Sequence, residues 1–212
     1  MTALRVCFVG DSIGLGVNDD TGLGWPGRLA ERERRAGHDL TNYNLGIRAD
    51  TSELIQPRWR AECEARLPDL APGALVFAFG INDAADQQGF GIRVPIEKSL
   101  AIAREMLSQA KAWKPTLWIG PTPADSSRQP FSPAPGVVFD FDNARIAAIS
   151  DAYGDLAAEL EIPYLDLFTP LASDANWPGV FAGLDGVHPT ATGYGMIAER
   201  VAGWEAWRAW FD

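Results

Sequence analysis

The sequence predicts an α/β protein, a doubly wound parallel sheet sandwiched between helices, and three observations predict it. Five short runs rich in Val, Ile, Phe, Tyr and Trp recur along the chain, mostly apolar throughout rather than alternating, which suits strands covered on both faces. Stretches with helical spacing separate them, so strand and helix patterns alternate along the chain. Finally, 212 residues with 47% hydrophobic and 22% charged composition can bury one sizeable core, so a single domain over residues 1–212 is expected.

Taken in order, Leu4–Val9 is the first strand. Trp25–Ala36 follows a loop and carries Pro26 near its start, where a missing N–H costs nothing, and reads as a helix. Leu40–Leu45 is the second strand, Ser52–Leu67 a crossover helix, Leu75–Phe79 the third strand, Ile96–Trp113 a helix and Thr116–Ile119 the fourth strand. Pro121–Gly136 holds Pro121, Pro123, Pro130, Pro133 and Pro135 among polar residues and reads as an irregular loop at the carboxyl edge of the sheet, a candidate lid. Asp142–Leu160 is helical and Pro163–Phe168 is the fifth strand. The last helix, from about Thr190 to Phe211, puts Ile197, Val201, Trp204 and Phe211 on one face, with Trp207 and Trp210 widening the stripe. That stripe closes the core or, because exposed aromatics mark interfaces, forms a homodimer surface.

Composition excludes several classes of function. Lys+Arg 18 against Asp+Glu 28 gives a net charge of −10, unsuited to nucleic acid or anionic membranes, which need a surplus of cations. The longest apolar run falls far short of the roughly 20 residues that span a bilayer. No secretory leader pattern is visible either, so a cytoplasmic location is expected. Two cysteines, Cys7 and Cys63, make no disulfide framework. Two histidines, no CxxC, and an Asp19-Asp20 pair that reads as a solvated loop disfavour a metal site, and no cofactor is expected. Gly22-Leu23-Gly24-Trp25-Pro26-Gly27 spells G-x-G-x-x-G but follows a polar loop, and Pro26 removes an N–H that would bind phosphate. A nucleotide- or flavin-binding module is therefore disfavoured.

Four short elements carry chemistry, and each follows a predicted strand. Gly10-Asp11-Ser12-Ile13-Gly14 offers a serine nucleophile beside glycines whose N–H groups can face a developing oxyanion. It also matches the G-x-S-x-G elbow, a coincidence here because only one strand precedes Ser12. Asn44-Leu45-Gly46 offers a further N–H, and Gly80-Ile81-Asn82-Asp83 a side-chain donor, Asn82. In Asp185-Gly186-Val187-His188 the aspartate can fix the imidazole tautomer that leaves the other nitrogen free as a base. His38 precedes the second strand, on the opposite edge, so His188 is the credible base; Asp83 competes with Asp185 for the third place, with a poorer spacing. In a doubly wound parallel sheet the strand ends lie together, where ligands bind, so Ser12, Gly46, Asn82 and His188 should meet.

The ordered set of Gly10-Asp11-Ser12-Ile13, Asn44-Leu45-Gly46, Gly80-Ile81-Asn82-Asp83 and Asp185-Gly186-Val187-His188-Pro189 resembles the SGNH hydrolases, also called GDSL lipases and esterases. The resemblance implies a flavodoxin-like α/β/α sandwich, Ser12 as nucleophile, His188 as base, Asp185 as its partner, and an oxyanion hole of Gly46, Asn82 and the Ser12 N–H. It implies a serine esterase for small carboxylic esters; a carbohydrate deacetylase, thioesterase or lysophospholipase would use the same residues. Since the base must be neutral, activity should fall below about pH 6–7. The chain departs from the family pattern at Ile13, where leucine is usual, and at Ile47-Arg48-Ala49-Asp50, where many members have small residues and a further glycine. Arg48 either forms a salt bridge, to Asp50 or Asp83, or binds a substrate carboxylate or phosphate. Trp177, in Asn176-Trp177-Pro178, is a second candidate substrate contact.

Overall fold

In the computed structural model, which describes residues 2–211, Val6, Cys7, Phe8 and Val9 are buried one after another. Consecutive burial requires cover on both faces of a strand. The strand is β1 (Ala3–Gly10), which runs through a single turn, α1 (Ser12–Leu15), and then α2 (Gly24–Arg35) to β2 (Asp39–Gly46). The short helices α3 (Ser52–Ile55) and α4 (Trp59–Glu64) lead to β3 (Gly73–Ala78), which is followed by the two-residue strands β4 (Asp86–Gln87) and β5 (Gly91–Ile92). Next come α5 (Ile96–Trp113), β6 (Thr116–Ile119), a hairpin of β7 (Phe131–Ala134) and β8 (Val137–Asp140), and α6 (Asn143–Glu159). The chain ends with β9 (Tyr164–Leu165), α7 (Phe168–Ala172), α8 (Ala191–Ala202) and α9 (Glu205–Arg208).

Five strands form one parallel sheet in the order β2-β1-β3-β6-β9. The order reverses beside β1: the chain moves one way to β2, then crosses to β3 on the other side. Right-handed crossovers then put α2 on one face and α3 to α6 on the other, and α8 returns to pack against α2. The carboxyl ends of β1 and β3 flank the switch point, where a doubly wound sheet opens a crevice. Among the described residues no helix is long and apolar enough to cross a membrane.

Three predicted elements differ from the structure. The single helix over Ser52–Leu67 is two helices, α3 and α4, because Pro57 supplies no N–H and its ring crowds the carbonyl four residues back. The C-terminal helix breaks at Gly203, and extended Trp204 (φ −75°, ψ 127°) starts α9. The proline-rich segment is not all loop: Phe131–Ala134 pairs with Val137–Asp140 across Pro135-Gly136, with Gly136 at φ +77°, and this hairpin joins β4 and β5 in a second, antiparallel sheet. In the C-terminal segment Trp207 is fully buried against Phe8 and Phe211, its indole N–H donating to buried Glu33 at 3.0 Å, while Trp204 and Trp210 are half-buried. The carboxylate of Asp19, which the sequence placed in a solvated loop, accepts the Gly24 N–H at 2.8 Å and pairs with Arg28. It thereby occupies the helix start where the G-x-G-x-x-G reading would put a phosphate.

Candidate active site

The site begins where β1 stops. Asp11 caps α1 by accepting the Ile13 N–H at 2.9 Å, which leaves Ser12 as the first helical residue. Its N–H has no acceptor within the described residues, as expected for an orphan donor at a helix start. The end of β2 is pressed against this turn. Asn44 donates from Nδ2 to the Gly14 carbonyl at 2.8 Å, and a side chain at Gly46 would stand 2.5 Å from the Leu15 nitrogen.

His188 reaches Ser12 from far along the chain because the segment before α8 crosses back over the sheet edge. Asp125 N–H donates to the Gly186 carbonyl at 2.7 Å, and Arg128 donates to the Leu184 carbonyl at 2.9 Å. Gly186, at φ +81°, lies so close to the Arg128 side chain that a Cβ there would sit 2.7 Å from it. Thus held, His188 Nε2 is 2.7 Å from Ser12 Oγ, and Nδ1 is 2.8 Å from Asp185 Oδ2. Asp185 Oδ1 accepts the N–H groups of Val187 at 2.9 Å and His188 at 2.8 Å. Burial pushes the Asp185 carboxyl up, but the His188 ring, its charge and these two N–H groups outweigh burial and hold it at about 2. An anion at Nδ1 keeps the ring proton there and points the Nε2 lone pair at Ser12.

The competing carboxylate is committed elsewhere. Asp83 is fully buried, accepting the Ser52 N–H at 2.9 Å, the Ser52 hydroxyl, and the Ser99 hydroxyl at 2.8 Å. It anchors the turn that carries Asn82. His38 lies on the amino edge, against Phe211 at 5.0 Å.

The donors around Ser12 only partly match the sequence reading. The Asn82 amide is oriented by two contacts: Nδ2 donates to the Asp50 carbonyl at 3.0 Å, and Oδ1 accepts from Arg93 at 3.2 Å. The second Nδ2 hydrogen has no acceptor among the described residues. Gly46 does not supply a free N–H, because its own strand neighbour Asn44 accepts it through Oδ1 at 3.0 Å. The Ala49 N–H, beside Asn82 in the pocket lining, has no acceptor among the described residues, and the φ of +64° at Ala49 costs a side-chain-bearing residue about 1–2 kcal/mol. Sequence reasoning missed Ala49, although a signal was present: it lies in the stretch Ile47-Arg48-Ala49-Asp50, where many of the proteins the chain resembles have a further glycine, and glycine marks positive φ.

Ser12, Ala49, Asn82 and His188 line one pocket of about 70 Å³, walled by Phe131, Pro133, Phe139 and Phe141 of the β7–β8 hairpin and by Arg48. Arg48 pairs with neither expected partner. Asp50 is taken by Arg58 at 2.8 Å and Asp83 by the serines, and the exposed Arg48 side chain has no hydrogen bond or ion pair among the described residues. Trp177 is not at the pocket. It is buried against Phe181 and donates its indole N–H to the Pro123 carbonyl at 3.0 Å, holding the loop in place. Cys7 and Cys63 are free and buried, and no group of His, Cys, Asp or Glu among the described residues is arranged to hold a metal ion.

Asp11 itself carries a testable charge. Burial raises its carboxyl, the Ile13 N–H and the His188 charge pull it back, and the balance leaves it at about 7 against 3.8 for a free side chain. Between those values the folded protein holds a proton that the unfolded chain has released, so stability falls as pH rises through that window. Asp11→Asn keeps an acceptor for Ile13 and removes the ionisation. Its melting-temperature advantage over wild type should grow from about pH 4 to about pH 7 and then level off; an offset that is constant over the window would contradict the assignment.

Among known proteins, the model of the GDSL-like lipase/acylhydrolase family matches residues 8–196. No curated sequence matches the chain. The lipase/acylhydrolase from Enterococcus faecalis superposes with a TM-score of 0.72 at 21% identity, covering 95% of this chain and 94% of its own. TesA superposes with a TM-score of 0.72 at 23% identity, covering 97% and 99%. The acetyl xylan esterase AlAXEase gives a TM-score of 0.66 at 18% identity over 92% and 96%. At these identities the solved structures speak for the fold.

Proposed function

The chain belongs to the GDSL-like lipase/acylhydrolase family, and from that premise we propose that it cleaves short carboxylic esters through an acyl-enzyme on Ser12. The observation that carries this reading is the chain of contacts from Ser12 Oγ to His188 Nε2 at 2.7 Å and from Nδ1 to Asp185 at 2.8 Å, in a pocket that also holds unpartnered donors. Ser12 attacks the ester carbonyl as His188 takes its proton. The N–H groups of Ser12 and Ala49 and the Asn82 amide receive the oxyanion. Collapse expels the alcohol with the proton from His188, and a water activated by the same ring releases the acid.

Two features of the pocket refine the substrate. At about 70 Å³ it is far smaller than the roughly 300–1,000 Å³ of sites that engulf drug-sized ligands, and its aromatic wall suits a short acyl group. Acetyl esters, including acetylated carbohydrates, fit this reading better than long-chain lysolipids or acyl-thioesters. Arg48 then faces the substrate as an unpaired cation on a chain of net charge −10, and its partner is a carboxylate or phosphate on the substrate.

One experiment tests both points. A panel of neutral and anionic esters with acyl chains from acetyl to decanoyl is assayed on wild type and Arg48→Ala. Activity should peak at the shortest chains, and the substitution should lower kcat/KM about tenfold more for anionic than for neutral esters, the size of one charged hydrogen bond. A preference for long chains refutes the short-acyl reading, and equal losses on both ester types refute the anion contact.

A further inference from the structure

Arg93 stands just after β5, outside every sequence motif, and touches both sides of the candidate oxyanion hole. One guanidinium nitrogen, Nη1, donates to Asn82 Oδ1 at 3.2 Å; the other, Nη2, donates to the Ala49 carbonyl at 2.7 Å. Its backbone is tied to the turn that carries Asn82, since its own N–H donates to the Ala85 carbonyl at 2.9 Å and the Val94 N–H to the Asp83 carbonyl at 3.2 Å. The guanidinium also lies over the ring of Phe139, 5.2 Å from its centroid, on the hairpin that walls the pocket. Three separate segments therefore converge on one planar cation.

We propose that Arg93 is the positioning residue of the oxyanion hole, holding the Asn82 amide and the Ala49 turn at a fixed separation while packing the aromatic wall over them. The inference rests on the esterase reading above. The Asn82 amide has two orientations, and a donor on Oδ1 selects the one in which Nδ2 reaches both the Asp50 carbonyl and the pocket. Ala49 sits in an unfavourable backbone region that persists only when its surroundings hold it. The bond from Arg93 to its carbonyl is such a hold, working beside the Asn82 bond to the next carbonyl. Only a fork with two separated donors meets both acceptors, a geometry that a lysine ammonium does not reproduce. Burial lowers the Arg93 pKa, and Asp83, Asp50 and Asp11 oppose that fall; a guanidinium keeps its charge in proteins.

A residue that merely tied β5 to the body of the protein would change the melting temperature and leave the chemistry of the folded fraction alone. A positioning residue lowers kcat at constant KM, because the oxyanion exists only in the transition state. The test measures kcat and KM on a neutral acetyl aryl ester, and the affinity for a trifluoromethyl ketone that forms a tetrahedral adduct, for wild type, Arg93→Met, Arg93→Lys, Asn82→Ala and the Asn82→Ala/Arg93→Met double variant. Loss of one oxyanion donor costs about 10²–10³ in rate. Arg93→Met should therefore lower kcat by about 10–100-fold with KM within about threefold, the ketone weakening in parallel, and Arg93→Lys should recover only part. In the Asn82→Ala background the Arg93→Met loss should shrink, since one of its two acceptors is gone. If Arg93→Met or Arg93→Lys keeps the wild-type kcat, or if the losses multiply in full in the double variant, the proposal is overturned while the esterase reading stands. If Asn82→Ala itself leaves kcat unchanged, the oxyanion hole is misassigned and the Arg93 proposal falls with it, whereas a wild type with no turnover of the ester overturns the esterase reading. Arg93→Lys keeps length and charge, so it serves should Arg93→Met fail to fold.

Discussion

Replacing Ser12 with alanine should lower kcat for a short aryl ester by on the order of 10⁴–10⁶-fold while leaving the fold intact. The side chain is buried at 4% exposure, and its hydroxyl has one hydrogen-bond partner among the described residues, His188 at 2.7 Å, so removing one oxygen leaves no cavity of consequence. The loss is large because the remaining groups around the pocket bind and orient but do not attack. Among the described residues no other hydroxyl or thiol lines it, and the two cysteines are buried elsewhere. Residual turnover would come from a water molecule taking the place of the Ser12 oxygen beside His188. A serine-reactive phosphonate should label wild type once, at Ser12, as read by peptide mass, and should leave Ser12→Ala untouched. Turnover undiminished in the variant, or label on another residue, would dismiss the acyl-enzyme.

The residues of this site were legible to different degrees, for a physical reason. Ser12, Asn82 and His188 each follow a strand, and a parallel sheet gathers strand ends at one edge, so sequence order alone brings them together. Asp185 was legible because three residues separate it from His188, a spacing that local geometry satisfies. What could not be read is which N–H groups are free. Gly46 looked like a donor, yet its hydrogen is spent on Asn44, whose side chain simultaneously reaches Gly14 across the sheet edge. Ala49, at a positive φ that tertiary contacts hold, has an N–H with no acceptor among the described residues. Asp83 looked like a rival for Asp185 until its partners Ser52 and Ser99 appeared, and both come from other helices. The pocket wall was hidden as well, since the prolines that suggested a loop flank a hairpin whose aromatics Phe131 and Phe139 face the site. The break at Pro57 was visible in the sequence and was overridden by the apolar spacing around it.

The second large effect is expected at Asp185. Its two oxygens do different jobs: Oδ1 accepts the Val187 and His188 N–H groups, and Oδ2 faces His188 Nδ1. An asparagine here must keep its own oxygen on the backbone N–H groups, because an NH₂ there would oppose two donors. Its NH₂ therefore meets Nδ1, which has to become an acceptor. The ring proton moves to Nε2, and Ser12 then faces an N–H instead of a base. Asn18 Nδ2, 3.4 Å from Oδ2, adds a further donor on the same side and worsens the mismatch. Asp185→Asn should accordingly lower kcat by on the order of 10⁴-fold, the consequence of a wrong tautomer, with KM little changed because no pocket residue is altered. Phosphonate labelling of Ser12 should slow in parallel, since it draws on the same base. Asp83 is no substitute, with both oxygens held by Ser52 and one also by Ser99. If the variant kept kcat within about tenfold of wild type, the tautomer would have to be set by some other group, and Asp185 would be reduced to a backbone cap for the turn that carries His188.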